Sequence, residues 1–181
     1  MRGQVRHDAI LDAAIELIGE TGYGRISMDA IAARAQASKM TMYRKWPGKA
    51  ELVAEALRRH AEGERPEPPD TGSLRGDLLA EVEGIVEAIS GPSLLGLAEA
   101  VRDDETLRDL VRAQIEDRSR RDAEVICAQA LARGELINAA LGPTALNLAV
   151  AQVFLTALLH GAPPDPAALV DDILVPVLTH S

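Results

Sequence analysis

Apolar side chains recur along this chain with the period of an α-helix, and no segment shows the alternation typical of a strand. In residues 5–20, one helix face carries Ile10, Ala14, Leu17 and Ile18. Gly22 and Gly24 end that helix, and similar helical stretches follow to the end of the chain. We therefore predict an all-α fold of about nine helices.

The segment 27–49, SMDAIAARAQASKMTMYRKWPGK, predicts two short helices across a tight turn. In the first helix, positions i, i+3, i+4 and i+7 are apolar: Met28, Ile31, Ala32 and Ala35. Ser27 precedes them as an N-cap, and Asp29 lies where the helix dipole favours an acid. This helix should bury one face against a core.

Ser38 repeats the cap for a second helix, in which Met42 and Trp46 lie four residues apart and share a buried face. The other side chains point outward: Lys39, Met40, Thr41, Tyr43, Arg44 and Lys45. They combine cations for phosphate with hydroxyl and apolar groups for base edges. Lys49 follows at the start of the next helix, whose N-terminus is itself a phosphate site. The pattern indicates a helix-turn-helix DNA reader; the alternative is a solvated basic face.

Residues from about 6 to 60 resemble the DNA-binding domain of the TetR family of bacterial transcriptional regulators. The resemblance lies in the succession GETGYGRIS, DAIAARA and SKMTMYRKWPGKAEL. It implies a three-helix DNA-binding domain joined by a fourth helix to a C-terminal helical bundle. It assigns base reading to Lys39, Met40, Thr41 and Arg44, and phosphate binding to Tyr43, Lys45 and Lys49. Ser27 and Ser38 lie at helix N-termini nearby and complete the expected DNA-binding set.

Three residues depart from the family pattern. Gln36 stands where the turn usually has Gly, so we expect a left-handed residue with a Cβ, at a cost of about 1 kcal/mol. Trp46 replaces the usual Phe and adds an indole N–H that needs a partner. Met40 stands where small residues are common, so its base preference does not follow from relatives.

Charge is distributed unevenly along the 181 residues, whose formal net charge is −9. Residues 1–65 carry +2 and residues 66–181 carry −11. Because DNA is a polyanion, the acidic part should be repelled, and the N-terminal part is the expected docking surface.

The proline-rich segment GERPEPPDTG separates two predicted domains, a DNA-binding domain in residues 1–62 and an effector-binding and dimerisation domain in residues 63–181. Within a long helix at 105–133, we expect a bend or an exposed turn at the charged patch 118–122. Pro176 should kink or loosen the final turn of the last helix.

The last two helices, 143–160 and 166–179, carry more apolar surface than one small domain covers. They predict a homodimer, as the resemblance also implies; the alternative is that both helices belong to the core. Two readers related by a two-fold axis require a palindromic operator in double-stranded DNA.

A small-molecule effector is a further partner that the resemblance implies, bound in a cavity of the C-terminal domain. The candidate polar contacts are Gln114, Gln129, Asn147 and Gln152, each of which has the alternative of an ordinary structural amide. Phe154 is the one aromatic residue beyond residue 46, so we expect an apolar or amphipathic effector without aromatic stacking.

Other chemistry is not indicated. Cys127 is interpreted as a buried small hydrophobe rather than a redox sensor, and the four histidines have no metal-ligand spacing. We expect no cofactor, no metal, no membrane span and a cytoplasmic location. The predicted function is a dimeric, effector-gated transcriptional regulator, in particular a repressor. The alternatives are a helical enzyme, for which no nucleophile with a base is visible, and a dimeric ligand-binding or interaction protein without specific DNA binding.

Overall fold

The computed structural model describes residues 2–62, 67–89, 94–136 and 139–179, and all regular structure in these ranges is helical. The helices are α1 (Arg2–Thr21), α2 (Met28–Arg34), α3 (Lys39–Lys45), α4 (Lys49–Glu62), α5 (Leu74–Ile89), α6 (Leu94–Asp103), α7 (Glu105–Arg133), α8 (Gly142–His160), α9 (Pro166–Leu169) and α10 (Val175–Thr179). A 3-10 turn at Tyr23–Arg25 precedes α2, and a π-helical turn at Val170–Leu174 joins α9 to α10. With the last three pieces counted as one helix, the described residues contain nine, and the predicted all-α fold is confirmed.

The chain forms two compact units that are not separated by a single cut. The first consists of Met1–Ala61 with Pro92–Ala113, and the second of Glu62–Gly91 with Gln114–Ser181. The predicted domain boundary borders residues 63–66, which lie outside the described residues. The assignment of separate functions to residues 1–62 and 63–181 stays a prediction.

In the first unit, the apolar faces of α1 to α4 meet in one core. Met42 and Trp46 are buried at its centre, as their spacing predicts. Ala100 from α6 and Leu107 from α7 belong to the same buried cluster. At the surface, Arg34 of α2 donates two hydrogen bonds to Glu20 of α1, at 2.9 and 2.8 Å. These hydrogen bonds hold α2 against α1.

In the second unit, α5 packs against α8 and against the terminal helical segment, and α7 approaches α8 at Gly142. A Cβ added to Gly142 would lie only 2.6 Å from the Cys127 Sγ, so glycine permits this close approach. Cys127 is buried, and burial raises the pKa of its thiol. The interpretation of Cys127 as a buried hydrophobe agrees with this environment.

A buried carboxylate fixes the start of α5. Asp77 is fully buried, and its Oδ1 accepts hydrogen bonds from the Thr71 backbone N–H at 2.6 Å and from the Thr71 hydroxyl at 2.8 Å. Its Oδ2 accepts from Arg133, at the end of α7, at 2.7 Å. One aspartate therefore joins the loop before α5 to the end of α7.

Helix α7 continues without a turn through its charged patch, and the expected exposed turn is absent. Arg118 bonds to Asp122 one helical turn later, at 3.2 Å, and lies 4.0 Å from the buried carboxylate of Glu81 on α5. Charges at this spacing stabilise a helix rather than interrupt it.

Pro176 has its effect one turn earlier than expected. A helical proline collides with the carbonyl four residues before it. The helix has a π-helical turn at that position, Val170–Leu174, and the Val175 N–H donates to the Val170 carbonyl five residues back. The final turn itself, Val175–Thr179, is α-helical.

Candidate nucleic-acid interface

The turn between α2 and α3 has a left-handed residue at Gln36, with a φ of 50°. Two backbone hydrogen bonds close the end of α2: Gln36 N–H to the Ala33 carbonyl at 3.3 Å, and Ala37 N–H to the Ala32 carbonyl at 2.9 Å. This is the Schellman arrangement, in which glycine usually occupies the left-handed position. The expected left-handed conformation of Gln36 is therefore confirmed, and the turn keeps the common hydrogen-bonding geometry.

Both short helices begin at the predicted serine caps. The Ser27 hydroxyl oxygen accepts the Ala30 N–H at 3.2 Å, and the Ser38 hydroxyl oxygen accepts the Thr41 N–H at 3.2 Å. The Thr41 and Ser38 hydroxyls also share a hydrogen bond of 2.7 Å. These hydrogen bonds hold Thr41 at the cap. Thr41 is half-buried, while Ser27 and Ser38 are exposed.

The outward face of α3 lies opposite the buried Met42. Met40 is 82% exposed and Tyr43 is 52% exposed, although apolar and aromatic side chains normally avoid water. Arg44 lies one turn after Met40 and is also exposed, and it forms no hydrogen bond or ion pair with the residues that the structure describes. A capped helix thus presents an apolar, an aromatic and a cationic side chain together.

The lysines of this region all contact acceptors within the protein. Lys39 donates to Asp29 on α2 at 2.6 Å, and Lys45 lies 3.5 Å from Glu55 on α4. Lys49 is half-buried: its ammonium donates to the Tyr23 carbonyl at 3.1 Å and lies 4.0 Å from the Tyr23 ring centre. Lys39 and Lys45 remain on the exposed surface, whereas Lys49 is turned towards the core.

The indole N–H of Trp46 has the partner that it needs, which sequence reasoning did not identify. It donates to Glu55 at 2.6 Å, and the second Glu55 oxygen lies 3.0 Å from the His7 Nε2. The His7 ring stacks on the indole, with centroids 5.4 Å apart. Partial burial would raise the pKa of Glu55, but the Trp46 hydrogen bond and the nearby Lys45 and His7 outweigh it, and the pKa is lowered. A carboxylate therefore ties the end of α3 to α1 and α4.

A second long-range contact joins the 3-10 turn at Tyr23–Arg25 to the start of α7. The buried Tyr23 hydroxyl donates to Asp104, which also caps the start of α7 by accepting the Leu107 N–H at 3.0 Å. Burial, together with the adjacent Asp104, raises the pKa of Tyr23 well above its usual range. The hydrogen bond from Tyr23 in turn lowers the pKa of Asp104. The donor stays protonated and the acceptor ionised, so this connection is maintained across the neutral pH range.

Two family models match this chain. One, described as "Bacterial regulatory proteins, tetR family", matches residues 10–56, and one described as "Tetracyclin repressor-like, C-terminal domain" matches residues 68–174. A protein named "DNA-binding transcriptional repressor TetR" from Mycobacteroides abscessus is 37% identical over 181 residues, which cover 96% of this chain and 94% of that protein. The chain belongs to the TetR family.

Other proteins agree with this TetR-family assignment. An HTH-type transcriptional regulator of Mycobacterium tuberculosis, itself described as uncharacterised, is 36% identical over 97% of this chain and 89% of its own length. The crystal structure of a TetR family transcription regulator has a TM-score of 0.69 at 24% identity, covering 94% of this chain and 97% of that one. A regulator from Bacillus subtilis, in complex with stearoyl-CoA, has a TM-score of 0.67 at 16% identity, covering 96% and 98%. The protein is a DNA-binding transcriptional regulator of the TetR family.

The effector candidates of this TetR-family protein all lie in the second unit and have different environments. Gln129 carries a buried side-chain oxygen without a hydrogen-bond partner among the described residues. Gln152 is exposed and donates to Thr156 one turn later at 3.2 Å. Gln114 and Asn147 are half-buried. Of the four, Gln129 is the one with an unused acceptor inside the fold.

A pocket of about 270 Å³ in the first unit was not anticipated from the sequence. It is lined by Thr21, Gly22, Tyr23, Gly24, Arg25, Gly96, Glu99, Ala100 and Asp103. It contains none of the candidate effector residues, and Arg25 within it already donates to the Thr21 carbonyl at 2.5 Å.

Exposed apolar side chains lie along one side of α8 and on the terminal helical segment of the TetR-family protein. Leu148, Leu155 and Leu159 are each more than half exposed and lie on the same side of the helix. Ile173 and Val177, from the terminal helical segment, are 43% and 38% exposed. We call these five residues the apolar face.

Helix α8, Gly142–His160, is long and apolar. Its 19 residues, with a mean hydropathy of 1.5 over an 18-residue window, meet the length and composition of a membrane span. A core helix of a soluble protein can pass the same test, and a third of this window is buried. Among the described residues, no group of three potential ligands forms a metal site.

Proposed function

We propose that this protein is a homodimeric repressor that binds a palindromic operator through α3 and is released by a small molecule bound in its second unit. The exposed side chains of α3 carry the proposal: Met40, Tyr43 and Arg44 extend from a helix whose opposite face is buried through Met42. A helix of this kind fits the major groove, where base edges are read.

We assign base reading to Lys39, Met40, Thr41 and Arg44, and phosphate binding to Tyr43 and Lys45. The exposed hydroxyls of Ser27 and Ser38 lie at helix starts, where backbone N–H groups favour an anion. Lys49 remains a predicted phosphate contact, but its ammonium is already bonded to the Tyr23 carbonyl, so it is the least suited of the set.

The apolar face supports dimerisation through helices near 143–160 and 166–179. A second copy related by a two-fold axis would cover the face with the same residues. The pair could then place its recognition helices in successive major grooves, about 34–36 Å apart. The palindromic operator follows from this symmetry.

The effector that we propose is a small apolar or amphipathic molecule with a hydrogen-bond donor, received by the buried oxygen of Gln129. Three nearby residues of α7 are apolar and buried: Ile126, Cys127 and Ala130. Gln114, Asn147 and Gln152 remain further candidates. By linkage, an effector that lowers DNA affinity must bind more tightly to the DNA-free protein. We place this regulator in the cytoplasm, where it has access to the bacterial chromosome, and we propose no enzymatic activity.

Two single substitutions test the DNA contacts. Met40→Ala removes an exposed side chain that would contact base edges, so we expect operator affinity to fall about fivefold with little change for scrambled duplex DNA. Lys45→Ala removes a phosphate contact, so we expect a similar loss for both DNAs and a salt slope smaller by about 0.9. Fluorescence anisotropy with the upstream region of the protein's own gene, at several salt concentrations, measures both.

One observation favours a second candidate function, a dimeric ligand-binding or interaction protein without specific DNA binding. Lys39, Lys45 and Lys49 all contact acceptors within the protein, which reduces the charge available to phosphates. If wild-type protein binds the upstream region no more tightly than scrambled DNA at every salt concentration, this second function replaces the first.

A further inference from the structure

The ion pair between Lys39 and Asp29 joins the two helices of the DNA reader. Lys39 is the first residue of α3, and Asp29 lies in the first turn of α2, fixed there by the Ser27 cap. The Lys39 ammonium donates to the Asp29 carboxylate at 2.6 Å, while their side chains remain 63% and 57% exposed. The pair is therefore formed on the surface that faces DNA under the proposed function.

A carboxylate at this position has a cost, since it brings a negative charge towards the DNA phosphates. Lysine has three N–H donors and no acceptor, so a lysine bound to one carboxylate can still donate to a base edge. A phosphate is an anion and competes with the Asp29 carboxylate for the Lys39 ammonium, whereas a base-edge acceptor is neutral and places no second negative charge beside Asp29. The Lys39–Asp29 pair thus permits donation to base edges and opposes binding to phosphates.

We propose that Asp29 is a specificity-determining positioning residue, which holds Lys39 for base edges and keeps it from binding phosphates of unrelated DNA. This inference rests on the proposed operator binding. It predicts that Asp29 lowers the affinity for random DNA, where phosphate contacts supply the binding, and maintains the affinity for the operator.

The neighbouring ion pair between Lys45 and Glu55 provides an internal comparison for the Lys39–Asp29 pair. Lys45 is the last residue of α3, on the side of Glu55 rather than at the centre of the outward face, and we assign it to phosphates. Phosphates are present in every duplex. Freeing Lys45 should therefore strengthen binding to operator and random DNA by equal factors, whereas freeing Lys39 should not.

The test compares Asp29→Asn with two variants that remove the same charge. In Glu55→Gln the amide oxygen can still accept the Trp46 N–H, and in Glu20→Gln the lost charge is paired with Arg34, outside α3. Affinities for operator and for scrambled duplex of equal length are measured over a range of salt concentrations. For D29N we expect about fivefold tighter binding to scrambled DNA, with a salt slope steeper by about 0.9, and no gain for the operator. E55Q should tighten both, and E20Q should leave the operator-to-scrambled ratio unchanged.

A second background shows whether the effect passes through Lys39. In Lys39→Ala, adding D29N should leave the ratio unchanged, because the side chain that Asp29 positions is absent. A persisting effect would mean that Asp29 acts by direct repulsion, and would overturn the inference. If the wild type prefers the operator to scrambled DNA and D29N keeps the same affinity ratio, the inference about Asp29 is overturned while the proposed function stands. A wild type without discrimination overturns the proposed function as well.

Discussion

Gln36 and Trp46 both depart from what the family usually places at their positions, and the structure treats them differently. Gln36 accepts its left-handed conformation, and no residue outside the turn is needed to close the Schellman hydrogen bonds. Trp46 depends on Glu55, nine residues later, for its indole N–H. The left-handed conformation of Gln36 could be predicted from the sequence because it depends only on the turn. The partner of Trp46 could not be predicted, because any of several polar residues could have accepted the indole N–H.

Replacement of Glu55 by glutamine should lower stability in a pH-dependent way. The pKa of Glu55 in the folded protein lies below the ordinary value of 4.5, so its ionised form stabilises the fold above that pH. As pH falls from 4.5 through the lowered pKa, this contribution is lost. We expect E55Q to unfold about 1 kcal/mol more easily at pH 7, because its neutral oxygen is a weaker acceptor for Trp46 and His7.

Urea unfolding at a series of pH values measures this difference. The gap between wild type and E55Q should narrow below pH 4.5, where the wild-type carboxylate takes up its proton. In a Trp46→Phe background, which lacks the indole donor, the effect of E55Q at pH 7 should be smaller. A gap that stays constant from neutral to acidic pH would contradict the role given to the ionised carboxylate.

The helices differ in how far the sequence determines them. The caps at Ser27 and Ser38 and the apolar spacing of α2 and α3 act within one or two turns, and both helices begin at the predicted residues. The charged patch in α7 is also local, but its effect was misjudged, since Arg118 and Asp122 stabilise the helix. The start of α5 depends on Arg133, 56 residues beyond Asp77, and no periodicity in the sequence indicates that pairing.

Loss of Asp77 should destabilise the second unit strongly. Asp77→Ala leaves the Thr71 N–H without its acceptor and removes one of the three carboxylates that contact Arg133, so we expect a cost of about 2 kcal/mol in the free energy of unfolding. Asp171→Ala is the matched control. It removes an exposed aspartate that accepts two hydrogen bonds of 2.7 Å from Arg75, which lies on α5 like Asp77. That surface pair should contribute less than about 1 kcal/mol. Equal losses in the two variants, measured by thermal and urea unfolding, would disprove the difference.

For the assembled protein, charge and exposed apolar surface indicate separate roles for different parts of the chain. Residues 66–181 carry a net charge of −11, which disfavours DNA contact there. The same region carries the apolar face, which can bind a second copy without any need for positive charge. The proposed dimer uses the acidic part for association and leaves the N-terminal part for DNA.

A charge placed in the apolar face should therefore separate the protomers. Leu155 is 51% exposed, so Leu155→Lys should leave the fold of each protomer intact while opposing association. We expect a monomer by sedimentation equilibrium at micromolar concentration and at least a tenfold loss of operator affinity. Leu131→Lys, at a leucine of α7 that is 40% exposed, is the control and should remain dimeric. A dimeric L155K would exclude this face as the interface.

The composition of the first unit also constrains how regulators of this kind can be recombined. Ala100 and Leu107 complete a core that otherwise comes from the first four helices. A hybrid made by exchanging everything after residue 62 would line that core with foreign side chains. Hybrids that retain α6 and the beginning of α7 from the parent that supplies the DNA reader should give soluble, foldable proteins more often than those joined at the proline-rich segment alone.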